Sequence, residues 1–290
     1  MSEPVHAEQQ DGRIVVHQGD GGWTYEWSAR KRPFLHPVAT PSGKVLTRNA
    51  PEDHPWHHGL WFTIKLVNEE NFWEEHDAYG VLRHTAEPTL VDHHPDRDWE
   101  VSGELTWIRP DRETVVIDEH RVLSHHALGP DAYGIDVDTT ITPRVDVLLD
   151  RTPFTTWGGY GGLSLRGRGD WTNTRLLLAD GEERERALGE PSPWCDLSGT
   201  VDGGEGGVTF LDHPHNPRHP VPWYASTRAA TYGEEGWSNF LNAAFLWDEP
   251  LPVAAGEGLR FRYRVVVHDG TWGADRADDA WQTFTRDVTW

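Results

Sequence analysis

The chain has 290 residues, and its 26 Lys+Arg against 47 Asp+Glu give a formal net charge of −21. A surface this acidic repels phosphate backbones, which argues against a nucleic-acid partner. The hydrophobic fraction of 37% is that of a globular protein with a sizeable core, no apolar run is long enough for a membrane partner, and one cysteine, Cys195, permits no internal disulfide.

Met1 to Gly12 is polar and has no apolar signal-peptide core, so a cytoplasmic setting is expected. Arg13 to His17 and Trp23 to Ser28 then read as strands, as does Trp61 to Val67 beyond a Pro-rich loop. Val67 to Asp77 is ambiguous in pattern. Trp99 to Ile108, Thr114 to Leu123 and Gly134 to Thr142 follow as strands. In the last, Ile135, Val137, Thr139 and Ile141 alternate with Asp136, Asp138 and Thr140, the signature of a half-buried strand. Gly162 to Leu165 and Val208 to Leu211 are short strands, with a Gly-rich loop expected over Gly199 to Gly207. Leu259 to His268 puts Phe261, Tyr263 and Val265 on one face. One helix is expected: Asp275 to Arg286 lacks Gly and Pro and spaces Ala277, Trp281 and Phe284 near a helical period. Many strands without alternating helices predict an all-β fold, a large antiparallel β-sandwich with a short C-terminal helix, as one domain over 1–290.

Two segments concentrate chemistry. In the first, His36 sits at a strand end, and Arg48, Asp53, His54, His57 and His58 occupy a loop stiffened by Pro51 and Pro55. Three readings compete there. Histidines beside a carboxylate can move protons at neutral pH. Alternatively, His36, His54 and His58 could ligate a transition metal, where otherwise no cofactor is expected. The third reading is a buried His/Asp network that only locks the loop. In the second segment a strand runs into Asp212-His213-Pro214 and then Asn216-Pro217-Arg218-His219-Pro220, a rigid loop at a strand end. Asp212 is a candidate base or orienter of a histidine, Arg218 a candidate for binding or polarising oxygen, and Trp223 a stacking platform or a core residue. A third stretch, Thr155 to Arg166, sets four glycines around Trp157 and Tyr160 but lacks a nucleotide-loop pattern, which leaves a tight turn with substrate contact. The 16 tryptophans offer flat apolar faces that suit sugar rings, with Trp56, Trp61, Trp73 and Trp223 the nearest to these segments.

Together the segments resemble one family. The resemblance runs from Pro33-Phe34-Leu35-His36-Pro37 and Thr40-Pro41-Ser42-Gly43 through Thr47-Arg48 and Asp53-His54-Pro55-Trp56-His57-His58-Gly59-Leu60-Trp61. It continues over Asn71-Phe72-Trp73, Gly161-Gly162-Leu163 with Arg166, and Asp212-His213 with Asn216-Pro217-Arg218-His219-Pro220, covering nearly the whole chain. The family it resembles is a bacterial group with the legacy label "methane oxygenase PmoA", a domain of unknown function. The oxygenase label does not transfer, because particulate methane oxygenase is membrane-embedded and this sequence has no span. The resemblance implies a role in sugar catabolism and a fold similar to the galactose-mutarotase supersandwich, in which a histidine acid and a carboxylate base act at the anomeric centre. His36, His54, His58 and Asp212 would be the counterparts in role. The function so implied is action on a sugar or oxidised sugar derivative by His/Asp general acid–base chemistry, of epimerase, lyase or hydrolase type. His54, His58, Asp212 and His213 would be catalytic. His36, Arg48, Trp56, His57, Trp73, Arg218, His219 and Trp223 would contact the substrate, a small sugar-like molecule. The alternatives are a His-ligated metal enzyme and a non-catalytic sugar-binding module; a homo-oligomer stays open.

Overall fold

The computed structural model describes residues 5–27, 32–94, 97–152, 159–228 and 238–286. Period-two patterning dominates them, and its consequence is two large antiparallel sheets laid face to face. The first, of nine strands, runs in the order His6–Gln10, Arg13–Gln18, Gly21–Glu26, Phe34–Ala39, Leu60–Ile64, Gly161–Arg166, Phe240–Ala243, Pro222–Ser226 and Arg186–Pro191. The second, of ten, is built around Trp194–Val201, Gly204–Asp212, Leu259–Asp269, Ala132–Pro143, Val115–Ala127 and Arg97–Ile108. A four-stranded sheet of short segments, among them Val147–Asp150 and Leu251–Val253, flanks them. The expected all-β sandwich is thus the observed one, and the predicted strands fall on observed strands, apart from Trp27, Ser28 and Thr114 at their ends and Lys65, which divides Trp61 to Val67 into two; Ser28 lies outside the described residues.

The core fills the gap between the sheets. Phe62 meets Phe261 (ring centroids 5.2 Å apart), Phe245 meets Phe261 (4.9 Å) and Phe210 meets Trp223 (6.2 Å) across it. Trp23, Trp107, Trp171 and Trp223 are all buried in this core, so much of the tryptophan content serves packing rather than ligand contact.

Two turns correct the sequence reading. Gly199 to Gly207 is not a loop: Trp194–Val201 and Gly204–Asp212 form a hairpin that reverses at Asp202-Gly203, both at positive φ (49° and 76°). That geometry matches the right-handed twist of the strands it joins. Asn68-Glu69 (φ 50° and 66°) uses the same device, turning the ambiguous segment into the hairpin Leu66–Val67 and Glu70–Asn71. The predicted helix is present as Ala274–Arg286. It buries Ala277 and Phe284 against Trp194, Leu211 and Val266 of the ten-stranded sheet.

The feature that positions the site is the second face of the nine-stranded sheet. Phe62, Leu163, Leu165 and Leu241 point into the sandwich, so their neighbours Trp61, Ser164, Arg166, Phe240 and Asn242 point out the other side. Strand pairing sets Trp61 beside Ser164, and Ser164 and Tyr224 beside Asn242. Leu60–Ile64 and Gly161–Arg166 are buried along their whole length, because a separate aromatic cluster covers this outer face.

Candidate functional site

That cluster contains Phe34, Trp61, Trp73, Tyr224 and Phe240, with Trp56, Tyr160 and Trp247 partly buried against it. Beside it opens a cleft of about 540 Å³, lined by Asp53, His54, Trp56, His57, Lys65, Trp73, Glu74, Thr152 and Tyr160.

One wall is an arch over residues 48–59. Two consecutive turns, His54 N to Pro51 O (3.1 Å) and His57 N to His54 O (2.9 Å), coil it. Its ends are stitched to the neighbouring strand, Arg48 N to Arg166 O (2.9 Å) and Arg166 N to Gly59 O (2.7 Å). The arch can enter the strand only through a glycine: Gly59 has φ +67°, and a Cβ there would lie 2.4 Å from Leu35 O. The opposite wall is held by Asn71, whose Oδ1 accepts from Trp73 N (2.8 Å) and Glu74 N (3.1 Å) while its Nδ2 donates to Glu74 O (2.8 Å).

Asp53 organises the charges on the first wall. Its Oδ2 accepts from Arg166 Nη2 (2.7 Å) and from His54 Nδ1. With the proton on Nδ1, the lone pair of a neutral His54 sits on Nε2. The His57 ring lies nearly parallel to His54 (4.6 Å, 18°) and also stacks on Phe240 (5.2 Å). Burial, and then the neighbouring His54 and Arg166, hold the His57 imidazole neutral to well below the usual histidine range. At 4.6 Å a charge on His57 would oppose a second positive charge on the stacked ring by about 3–4 kcal/mol for an effective dielectric near 20. On the other wall Lys65 is ion-paired with Glu74, and Trp73 stacks on Tyr160 (5.3 Å, 13°). Trp56 stands edge-on to His54 (5.4 Å) and is half-buried.

Of the residues expected from sequence, the cleft gathers His54, Trp56, His57 and Trp73. His58, His36 and Arg48 flank it without lining it. His58, near the end of the arch, is stacked on Phe34 (5.0 Å), with Nδ1 on Asn49 Oδ1 (2.7 Å) and Nε2 on Glu75 Oε1 (2.9 Å). His36 Nδ1 meets Thr47 Oγ1 (2.9 Å), and burial, aided by His58, lowers its pKa. Arg48 is half-buried, and its backbone ties the arch. Among the described residues no three His, Cys, Asp or Glu side chains come together as a metal cluster, so His36, His54 and His58 do not assemble the ligand set considered above.

The second segment contributes no lining residue to this cleft. Asp212 is fully buried and acts as the pin of its own turn: Asn216 Nδ2 donates to Oδ1 (2.8 Å), His219 Nδ1 (2.6 Å) and Val221 N (2.9 Å) to Oδ2. The Trp281 indole caps the Asp212 carbonyl (2.8 Å) and lies parallel to the His219 ring. His213 is buried against Phe284, and burial, with Arg262 adding, pushes its pKa down to about 4. Arg218 donates to the carbonyls of Phe245 (2.9 Å) and Pro250 (3.0 Å). Trp223 is core, its indole bonded to Ser192 O (2.9 Å). Dense Pro, His and Asp marked a rigid turn here, with its polar groups consumed internally. Trp157 of the Gly-rich stretch lies outside the described residues, whereas Tyr160 reaches the cleft.

Lys65, Glu74 and Thr152 escaped the sequence reading, Arg166 was given no role, and Asp53 was read only as the carboxylate beside the histidines of its loop. The available signal for two of them was phase: Trp61, Thr63 and Lys65 alternate on the outer face, and Arg166 follows Ser164 by two.

The chain belongs to the family of unknown function DUF6807, whose sequence profile matches residues 14–282. This overturns the PmoA-like assignment, to which nothing in the comparison points. No curated protein matches the chain. Similar solved structures include a galactose mutarotase related enzyme from Lactobacillus acidophilus, at TM-score 0.44 and 8% identity, covering 93% of this chain and 99% of that one. The heparan sulfate lyase HepC from Pedobacter heparinus is similar at TM-score 0.38 and 9% identity, over 94% of this chain and 37% of the lyase. No helix among the described residues is long and apolar enough to cross a membrane.

Proposed function

We propose, taking membership of a family without an assigned activity as the premise, that the cleft binds a sugar or oxidised sugar derivative and acts on it by general acid–base catalysis. The observation that carries this reading is the Asp53–His54 dyad, with Arg166 on the same carboxylate oxygen, in a wall of an aromatic-lined cleft. His54 Nε2 takes a proton from a substrate hydroxyl or an activated C–H. The imidazolium so formed keeps its Nδ1–H bond to Asp53 and returns the proton in the second half of the reaction. Arg166 donates to the same Asp53 oxygen and helps to fix the carboxylate in place. Trp56 and Trp73 offer ring faces to the apolar side of a sugar. A proton transfer of this kind needs no cofactor. A cytoplasmic setting belongs to the same reading, in keeping with a sole cysteine that is buried.

The test is a panel of aldoses, ketoses, lactones and uronates incubated in D₂O, with product formation and solvent-deuterium incorporation followed by NMR. Asp53→Asn and His54→Gln should each lose about a hundredfold or more in rate, with folding intact. Full activity in both variants refutes the assignment.

A further inference from the structure

His57 lines the cleft while only 5% exposed. Its ring is held between His54 (4.6 Å) and Phe240 (5.2 Å), with Trp61 tilted against it (5.1 Å) and Trp73 edge-on (6.2 Å). Among the described residues its Nδ1 is shut off from solvent and has no hydrogen-bond partner. Nε2 is neither sealed in nor bonded within the protein, which makes it the polar atom that this ring offers to the cleft.

That asymmetry fixes the tautomer. A neutral imidazole has one N–H and one lone pair. A buried N–H without an acceptor is a rarer orphan in folded proteins than a buried acceptor without a donor, so Nδ1 keeps the lone pair and Nε2 the proton. Burial, then His54 and Arg166, keep a second proton off the ring against the opposing Asp53, and Arg32 adds to them. A neutral imidazole is too weak an acid to give its N–H away. It acts by donating a hydrogen bond to charge that develops on a ligand oxygen.

We infer that His57 is a second catalytic group of the cleft, whose Nε2–H donates to the carbonyl oxygen of an open-chain sugar or lactone while the neighbouring carbon gives up its proton. For the proton acceptor this rests on the proposed function; for the donor it rests on His57. His54 Nε2 takes the proton from the carbon beside the carbonyl. The C–H electron pair becomes the C=C bond of an enediolate, and the carbonyl π pair moves onto the oxygen that His57 holds. Return of the proton from His54 closes the reaction, and no oxidant or reductant is consumed. The ligand class is therefore aldoses, ketoses and aldonolactones, and not glycosides, whose anomeric carbon is locked as an acetal.

The experiment follows turnover and carbon-bound deuterium by NMR in D₂O with fructose, xylulose and gluconolactone, and with methyl glucoside as the probe lacking a carbonyl. The wild type should place deuterium on the carbon beside the carbonyl and leave methyl glucoside untouched. His57→Phe keeps the aromatic stack and removes the donor; kcat should fall about a hundredfold, with KM within about threefold. It should melt no lower than the wild type, because a buried polar atom without a partner is gone. His57→Gln restores a neutral N–H and should recover roughly tenfold of the loss. Two-bond proton–nitrogen spectra of the wild type read the His57 tautomer without any substitution. A proton on Nδ1, full kcat in folded His57→Phe, or turnover without carbon-bound deuterium overturns the inference and leaves the acid–base reading standing. If none of the probes turns over, both fall.

Discussion

His125 makes stability depend on pH in a way that can be worked through. It is fully buried; its Nδ1 accepts from the Trp23 indole (3.1 Å) and its Nε2 faces Gln18 Oε1 (2.9 Å). An indole N–H can only donate, so Nδ1 must carry a lone pair, and Nε2 must carry the proton. Gln18 Nε2 is engaged with the Gly129 (3.0 Å) and Ala132 (3.2 Å) carbonyls, which fixes its oxygen toward His125. Protonating the ring would set two donors head to head in a buried site, and burial, with His126 adding, pushes the pKa down to about 3. The unfolded chain binds this proton near pH 6.5 and the folded one refuses it, so stability is full above that pH and falls as the pH drops through it. The loss runs at about 1.4 kcal/mol per pH unit for this residue, about 3 kcal/mol by pH 4.5. His84 and His213, both pushed down to about 4, and His57 act in the same direction. Urea unfolding followed by tryptophan fluorescence between about pH 7 and pH 4.5 measures the slope, which in His125→Gln should be shallower by about 1.4 kcal/mol per pH unit. An unchanged slope in the folded variant, or His125 ring protons titrating near pH 6.5 in the native protein, would refute this reasoning.

Two further outcomes separate the cleft from the second segment. Asp212→Ala strands His219 and the Asn216 and Val221 donors, and should cost about 3–5 kcal/mol in urea unfolding while the folded fraction keeps its ligand affinity; an unchanged midpoint would show that the turn does not depend on this carboxylate. Trp56→Ala should do the opposite. Half-buried at the cleft, it should lower ligand affinity by roughly tenfold and stability by less than about 1 kcal/mol, as read by titration and thermal melting.

The sandwich was legible because its long strands carry their phase openly, as in Ile135, Val137 and Ile141 against Asp136 and Asp138. Phe34–Ala39, Pro222–Ser226 and Phe240–Ala243 were harder to read, since strands covered on both faces lose their alternation. The Asp202-Gly203 turn was written in the sequence as an Asp-Gly pair, but the surrounding glycines masked it. At the site, the arch with His54, Trp56 and His57 could be found from local density of ionisable groups. That measure could not tell it from the Asp212 turn, which has the same composition. The difference is burial and partnership: Asp212 spends its oxygens on Asn216, His219 and Val221 within nine residues, while Asp53 reaches Arg166 on another strand. Lys65 and Glu74 become neighbours only because the Leu66–Val67 hairpin folds back, a contact that no one-dimensional pattern announces.

Trp61 and Phe62 are adjacent in the chain, yet one floors the aromatic cluster beside the cleft and the other meets Phe261 at the centre of the sandwich. The site's foundation and the core are therefore the same few strands seen from two sides. A substitution that reshapes the floor must be absorbed by the interior, and one that loosens the interior is felt in the binding surface. Change with the least consequence for the interior is therefore confined to the rim, where Trp56 stands half-buried on the arch.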